Sequence, residues 1–339
     1  MPRELHNYYE ERDRLLDRIR TVEEVAFDAL ALDVFRFQAT YNSIYAQYLK
    51  LLHIDPTSVS RTTDIPFLPI TLFKNHDLRS GEWSAMRTFT SSGTTGLTTS
   101  KHSLRSDGWY RFNAQRAFEK QYGPLQGRAV LALLPAYLER TGSSLVFMAD
   151  DFIQRSVHPD SGFFLDDLPA LSAKLARLEA EKVPTLLIGV SFALLDLAEQ
   201  FPQPLGNTII METGGMKGRR RELTREELHT TLAMAFSVEY IHSEYGMTEL
   251  LSQAYAPRNG VFLPAPTLRA YTREITDPLS FSGAGRTGAI NLIDLANLDT
   301  ISFIATDDLG KCYPDGTFEV LGRMDASDVR GCNLLVQEI

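Results

Sequence analysis

Four short stretches of this chain concentrate residue types able to do chemistry. The first is TFTSSGTTGLTTSK, residues 88–101, where Thr90–Gly96 alone holds three threonines, two serines and two glycines. Glycines let backbone N–H groups approach a polyphosphate, and hydroxyls add donors. The same composition also suits a flexible linker. A Walker A loop is excluded, because that pattern ends Gly-Lys-Ser/Thr and here Leu97 follows Gly96. The second stretch is Tyr245-Gly246-Met247-Thr248-Glu249, just after an expected strand. There a tyrosine can stack on a base, a threonine can bond a phosphate and a glutamate can hold magnesium. The plainer alternative is a strand exit leading into a capped helix. The third, Thr306-Asp307-Asp308-Leu309-Gly310, offers an aspartate that accepts two hydrogen bonds and suits a ribose diol, or else forms a turn before a strand. The fourth, Gly322-Arg323-Met324-Asp325, has a surface hairpin end as its plainest reading.

The chain has two cysteines, Cys312 and Cys332. As a thiolate, Cys332 is a candidate nucleophile, with Arg330 nearby to favour that form; the alternative is an inert, partly buried thiol. Cys312, in GKCYPDG, lies between turns and reads as structural.

Elements that position such groups are legible in the apolar pattern. Residues 8–52 read as helical, with Val25, Phe27, Leu30, Leu32, Phe35 and Phe37 marking an apolar face that Ile44, Tyr45, Tyr48 and Leu51 continue. Pro56, Pro66 and Pro69 then break the pattern into extended segments, and a helix is expected over Ser106–Gln121. Strands are predicted at 129–135, 184–190, 207–215 and 238–246, with helices at 166–182, 191–201 and 223–236 between them; 143–149 reads as a helix start or a strand. Such alternation predicts an α/β fold with a largely parallel sheet covered on both faces. After Phe262 short strands and turns predict a β-rich closing portion. The expected organisation is one large domain over 1–320, with a helical segment at 1–60, and a short hinge and cysteine-bearing tail at 321–339.

With 339 residues, 44% hydrophobic and 23% charged, the chain can bury a substantial core, and so few cysteines argue against a disulfide scaffold. A net charge of −9 disfavours a nucleic-acid partner. MPRELHNYYEERDRLL has no apolar h-region, and no apolar run approaches the ~20 residues that span a bilayer, so a cytoplasmic protein without membrane insertion is expected.

Taken in order, the TSSGTTG loop, a GG turn, YGMTE, TDDLG and GRMD resemble the adenylate-forming superfamily of acyl-CoA ligases, peptide-synthetase adenylation domains and firefly-type luciferases. The resemblance covers residues 85–332 and implies the large N-terminal domain of that fold. The usual C-terminal lysine domain is expected to be absent, since the chain stops at Ile339. ETGGMKGRRREL, the chain length and Cys332 resemble one branch, the acyl-protein synthetases of bacterial bioluminescence. That branch implies activation of a long-chain fatty acid as acyl-AMP, transfer to a cysteine of the synthetase itself, and delivery to a reductase or carrier-protein partner. It further implies ATP and Mg2+, with Ser91, Ser92, Gly93, Thr94, Thr95 and Gly96 around the β- and γ-phosphates. Thr248 is expected at the α-phosphate, Glu249 on magnesium and Tyr245, followed by Gly246, on the adenine face. Gly214 and Gly215 would wall the adenine pocket, and Asp308 would take the ribose with Arg323 assisting. Asp307 stands where the family has glycine, which leaves the choice between the two aspartates open; Lys101 stands near the phosphate loop but not in the family's usual place. Two rival readings are a ligase delivering acyl-AMP to coenzyme A or an acyl carrier protein, and a non-catalytic nucleotide-binding subunit.

Overall fold

The computed structural model describes residues 3–91, 99–134, 142–214 and 223–324, which fall into two compact units. The first comprises residues up to Tyr110, the five residues Thr248–Ser252, and the chain from Pro264 onward. The second comprises Arg111–Met247 and Gln253–Leu263.

The first unit opens with helices α1 (Arg3–Arg20), α2 (Phe27–Tyr41) and α3 (Ser43–Leu51). In α2, Phe27, Leu30, Ala31, Val34, Phe35, Phe37 and Gln38 are buried, the stripe a 3.6-residue period turns inward. Two residues expected on that apolar face point to water instead. Val25, 92% exposed, sits in the 3-10 turn Glu24–Ala26 ahead of the α2 stripe, and Leu51, 72% exposed, ends α3. Asn42 caps α3 by accepting the Tyr45 N–H at 3.0 Å. The buried Gln38 side chain donates to the carbonyls of Asn297 and Leu298 and accepts the Ser302 N–H at 3.0 Å. Strand β1 (Leu68–Pro69) follows, then the hairpin β2 (Arg87–Thr90) and β3 (Lys101–Leu104), then the start of α4 (Asp107–Tyr122).

The second unit carries the alternating pattern: β4 (Ala129–Leu133), α5 (Ser144–Ser156), β5 (Gly162–Phe163), α6 (Leu168–Ala180), β6 (Thr185–Val190), α7 (Ser191–Gln200), β7 (Thr208–Thr213), α8 (Arg225–Phe236), β8 (His242–Tyr245), β9 (Ala254–Ala256) and β10 (Val261–Pro264). Strands run parallel in the order β5-β4-β6-β7-β8, and β9 pairs antiparallel with β8. Every residue of β4 and β6 is buried, as a parallel strand covered on both faces requires. The ambiguous stretch 143–149 is a helix start, because the Ser143 hydroxyl caps the Val146 N–H at 3.3 Å.

The β-rich portion belongs to the first unit. Strands β11 (Leu268–Arg273), β12 (Gly288–Asp294), β13 (Phe303–Cys312) and β14 (Phe318–Arg323) form an antiparallel sheet, and β1 adds to β13 in parallel. At ten residues, β13 is longer than the short strands expected there. No helix among the described residues is long and apolar enough to cross a membrane.

Candidate functional site

In the first unit, the β2–β3 hairpin runs to Ser91 and Ser100, which close its neck reciprocally. The Ser91 N–H donates to the Ser100 carbonyl at 3.1 Å, and the Ser100 N–H donates to the Ser91 hydroxyl oxygen at 2.9 Å. Ser92, Gly93, Thr94, Thr95 and Gly96 lie outside the described residues. Strand alternation then turns Lys101 to water and His102 inward, to 1% exposure.

The Thr248–Ser252 segment is held from several sides within this unit. His102 Nδ1 lies 2.9 Å from the Thr248 carbonyl, and its Nε2 lies 2.9 Å from the Thr300 hydroxyl. A carbonyl only accepts, so Nδ1 carries the proton and Nε2 receives one from Thr300. Burial pushes this imidazole down to about 4, so it is neutral at physiological pH. The Asn297 amide donates to the Glu249 carbonyl at 2.8 Å and to the Ile301 carbonyl at 3.1 Å. Asp294, fully buried, accepts the N–H groups of Leu251 and Ser252 at 2.8 and 3.0 Å.

Glu249 is 6% exposed, and burial raises its carboxyl above the usual carboxylate range. A hydrogen bond from Ser100 and the charge of Arg323 oppose that rise, while Asp308 adds to it. Thr306-Asp307-Asp308-Leu309-Gly310 lies inside strand β13, so the turn alternative for this stretch fails. Asp308 faces Arg323 in cross-strand register, with Oδ1 and Nε 3.3 Å apart, and only the arginine is well exposed. Behind them the buried Arg273 donates to the Thr306 carbonyl at 2.7 Å and the Ile290 carbonyl at 2.9 Å.

The pair Glu249 and Asp308 bears on a metal. Among the described residues no cluster of three or more His, Cys, Asp or Glu side chains forms a cation cage. One buried carboxylate, with the charge of a second acting on it, matches how magnesium is usually held: by one or two carboxylates plus substrate phosphates. The residues present fit such an ion.

In the second unit the candidates cluster where parallel strands end, the place ligands favour in α/β sheets. Gly214 closes β7 at φ +69°, a left-handed conformation that favours glycine, and its carbonyl accepts the Ser191 hydroxyl at 2.7 Å. Gly215 lies outside the described residues. Tyr245 ends β8, nearly buried, its ring 5.7 Å from that of Phe262. Gly246 follows, where a Cβ would run into the Glu244 carboxylate. Two glutamates stand behind these glycines. Glu244, 8% exposed, accepts the Thr213 hydroxyl at 2.5 Å. Burial pushes its carboxyl up to about 7, with help from the charge of Glu212. Glu212 in turn lies 3.7 Å from Arg225 and 3.5 Å from His229. A cavity of about 400 Å³ at the opposite ends of β7 and β8, lined by Asn207, Thr208 and Tyr240 among others, includes none of the candidate residues.

Sequence reasoning overlooked Ser100, His102, Arg273, Asp294 and Asn297, and the two glutamates. The glutamates carry a signal: Glu212-Thr213-Gly214 and Glu244-Tyr245-Gly246 both place an acid two residues before a strand-end glycine. Cys312 is half-buried, and burial pushes its thiol up to about 12, consistent with a structural role. Cys332 and Asp325 lie outside the described residues.

No protein-family model matches the chain, and no curated protein matches it by sequence. Solved structures do. The chain is similar to 2-hydroxyisobutyryl-CoA ligase in complex with 2-HIB-AMP and CoA, with TM-score 0.64 and 14% identity, over 91% of this chain and 72% of that one. It is similar to the same ligase in the postadenylation state, with TM-score 0.66 and 12% identity, over 91% of this chain and 70% of that one. ATP-bound MatB from Rhodopseudomonas palustris matches with TM-score 0.53 and 17% identity, over 74% of this chain. The chain spans 49% of MatB's length. The fold of this chain is therefore the α/β fold shared by these adenylate-forming ligases, a largely parallel sheet with a β-rich portion.

Proposed function

We propose that this chain activates a carboxylic acid with ATP and transfers the acyl group to a thiol. In the first step a carboxylate oxygen attacks the α-phosphorus, the bond to the bridging oxygen breaks, and pyrophosphate leaves. In the second a thiolate attacks the acyl carbonyl and AMP leaves. The observation that carries this reading is the buried Glu249 carboxylate, in a fold shared with ligases solved with ATP or an acyl-adenylate.

Each residue has a role in the proposal. Glu249 holds magnesium, which when bound offsets charge developing on the phosphates. Thr248 meets the α-phosphate, Tyr245 and Gly246 take the adenine face, Gly214 and Gly215 wall its pocket, and Asp308 with Arg323 binds the ribose. Ser91 through Gly96 cradle the β- and γ-phosphates. The acid is a long-chain fatty acid and the thiol is Cys332, which then passes the acyl group to a protein partner such as a reductase or carrier protein. A second acceptor, coenzyme A, is favoured by one observation: the similar 2-hydroxyisobutyryl-CoA ligase was solved with CoA bound.

Labelled fatty acid, ATP and Mg2+ separate these readings. Fatty-acid-dependent pyrophosphate exchange with hydroxylamine-sensitive label on the protein supports self-acylation. Exchange with acyl-CoA and no protein label moves the assignment to coenzyme A. No exchange with any acid removes the ligase reading.

A further inference from the structure

Two consecutive main-chain carbonyls, those of Thr248 and Glu249, are each gripped by a buried side chain remote in sequence. We propose that His102 is a positioning residue for the adenylation step: its Nδ1–H holds the Thr248 carbonyl and, with Asn297 on the next carbonyl, fixes where Thr248 and Glu249 present their side chains. The proposal rests on the ligase reading above.

The geometry is complete on both ring nitrogens. His102 bridges the Thr248 carbonyl and the Thr300 hydroxyl at 2.9 Å each, and Phe73 packs edge-on against its ring at 5.4 Å. Thr300 belongs to the same turn as Asn297, whose carbonyl accepts the Thr300 N–H at 2.9 Å. Thus β3 and the segment before β13 meet on one imidazole, and the carbonyl of Thr248 is the third point of attachment. Reacting groups must be held to within a fraction of an ångström, and a misplacement of about 1 Å costs roughly 10²-fold in rate.

Two substitutions divide the two hydrogen bonds. His102→Asn places an amide nitrogen at the Nδ1 position and keeps the donor to Thr248 while losing Thr300. His102→Gln reaches the Nε2 position and loses the donor to Thr248. The full-length proteins would be compared for fatty-acid-dependent pyrophosphate exchange and for Mg2+-dependent binding of α,β-methylene ATP by calorimetry, alongside thermal midpoints. The expected result is a split: Gln lowers kcat by about 10²-fold and weakens analogue binding, whereas Asn stays within about tenfold of the unsubstituted protein in both, even where their thermal midpoints agree. Equal exchange and binding in the Asn and Gln proteins would overturn the proposal, because His102 then acts only through stability. Failure of both to fold would assign His102 to the core and overturn it equally. Absence of exchange in the unsubstituted protein would remove the ligase reading and the proposal with it, so the two failures are told apart.

Discussion

Replacing Glu244 by glutamine should make the protein more heat-resistant at alkaline pH and leave it nearly unchanged in acid. The carboxyl of Glu244 titrates near 4.5 in an unfolded chain and is pushed up to about 7 in the folded one, first by burial and then by the charge of Glu212; the Thr213 hydrogen bond opposes both. A raised acid contributes stability that is fully present below the unfolded value and is lost as pH climbs through the folded one. Each pH unit in that window costs about 1.4 kcal/mol, so ionising Glu244 removes about 3 kcal/mol between roughly pH 4.5 and 7. Glutamine is neutral throughout, and its amide oxygen still accepts the Thr213 hydroxyl. With roughly 2 cal/mol/K of unfolding entropy per residue, the gain amounts to about 4 °C for a chain this long. Arg225 and His229 both face Glu212 and are present in either protein, so their own contributions cancel in the difference. Calorimetric midpoints of both proteins, taken at constant ionic strength from about pH 5 to 8.5, should separate progressively and then run parallel above about pH 7.5. Curves that stay parallel over the whole range would refute the reasoning, because Glu244 would then titrate alike in both states.

The same corner of the second unit predicts that Gly246→Ala destabilises by about 1–3 kcal/mol, since the new methyl displaces the Glu244 carboxylate. Adding Glu244→Ala to it should cost less than the sum of the two single changes, as denaturant titration of the three variants would measure. In the first unit, Glu249→Gln should abolish Mg2+-dependent pyrophosphate exchange, a loss of several kcal/mol of transition-state stabilisation, with an unchanged circular dichroism spectrum; near-normal exchange would take Glu249 out of the site. Cys332→Ser should keep exchange and lose hydroxylamine-sensitive label. Cys312→Ser should keep both, because a thiol titrating at about 12 is protonated at neutral pH; label that survives in Cys332→Ser would exclude that cysteine as the acceptor.

Sequence pattern served best where burial follows the backbone period. The all-apolar runs AVLAL and TLLIGV are parallel strands buried on both faces, and the α2 stripe turns inward as its spacing requires. It served less well at element ends. Val25 and Leu51 are apolar and exposed, because period alone does not say where a helix starts or stops. It also stopped short of the side chains that hold the candidate site. His102, Asn297 and Asp294 act on main-chain carbonyls and N–H groups far along the chain, separated from Thr248–Ser252 by 146, 48 and 43 residues in the pairs His102–Thr248, Asn297–Glu249 and Asp294–Leu251. A side chain that serves someone else's backbone has no local signature. The aspartate pair in TDDLG was legible as polar but not as strand, since Asp and Gly are poor strand formers and only cross-strand pairing with β12 and β14 makes the segment extended.

The interleaving of the two units bears on how the chain emerges from the ribosome. Helix α2 is anchored by Gln38 to Asn297, Leu298 and Ser302, and β1 pairs with β13 through Leu68 and Ile304. More than two hundred residues must be translated between these partners, while the second unit, nearly continuous in sequence, has all its strands available first. Contacts of such long sequence separation slow folding, because loop closure must precede the interactions that reward it. Helix α2 and β1 therefore complete these contacts only once the chain through β13 has been made.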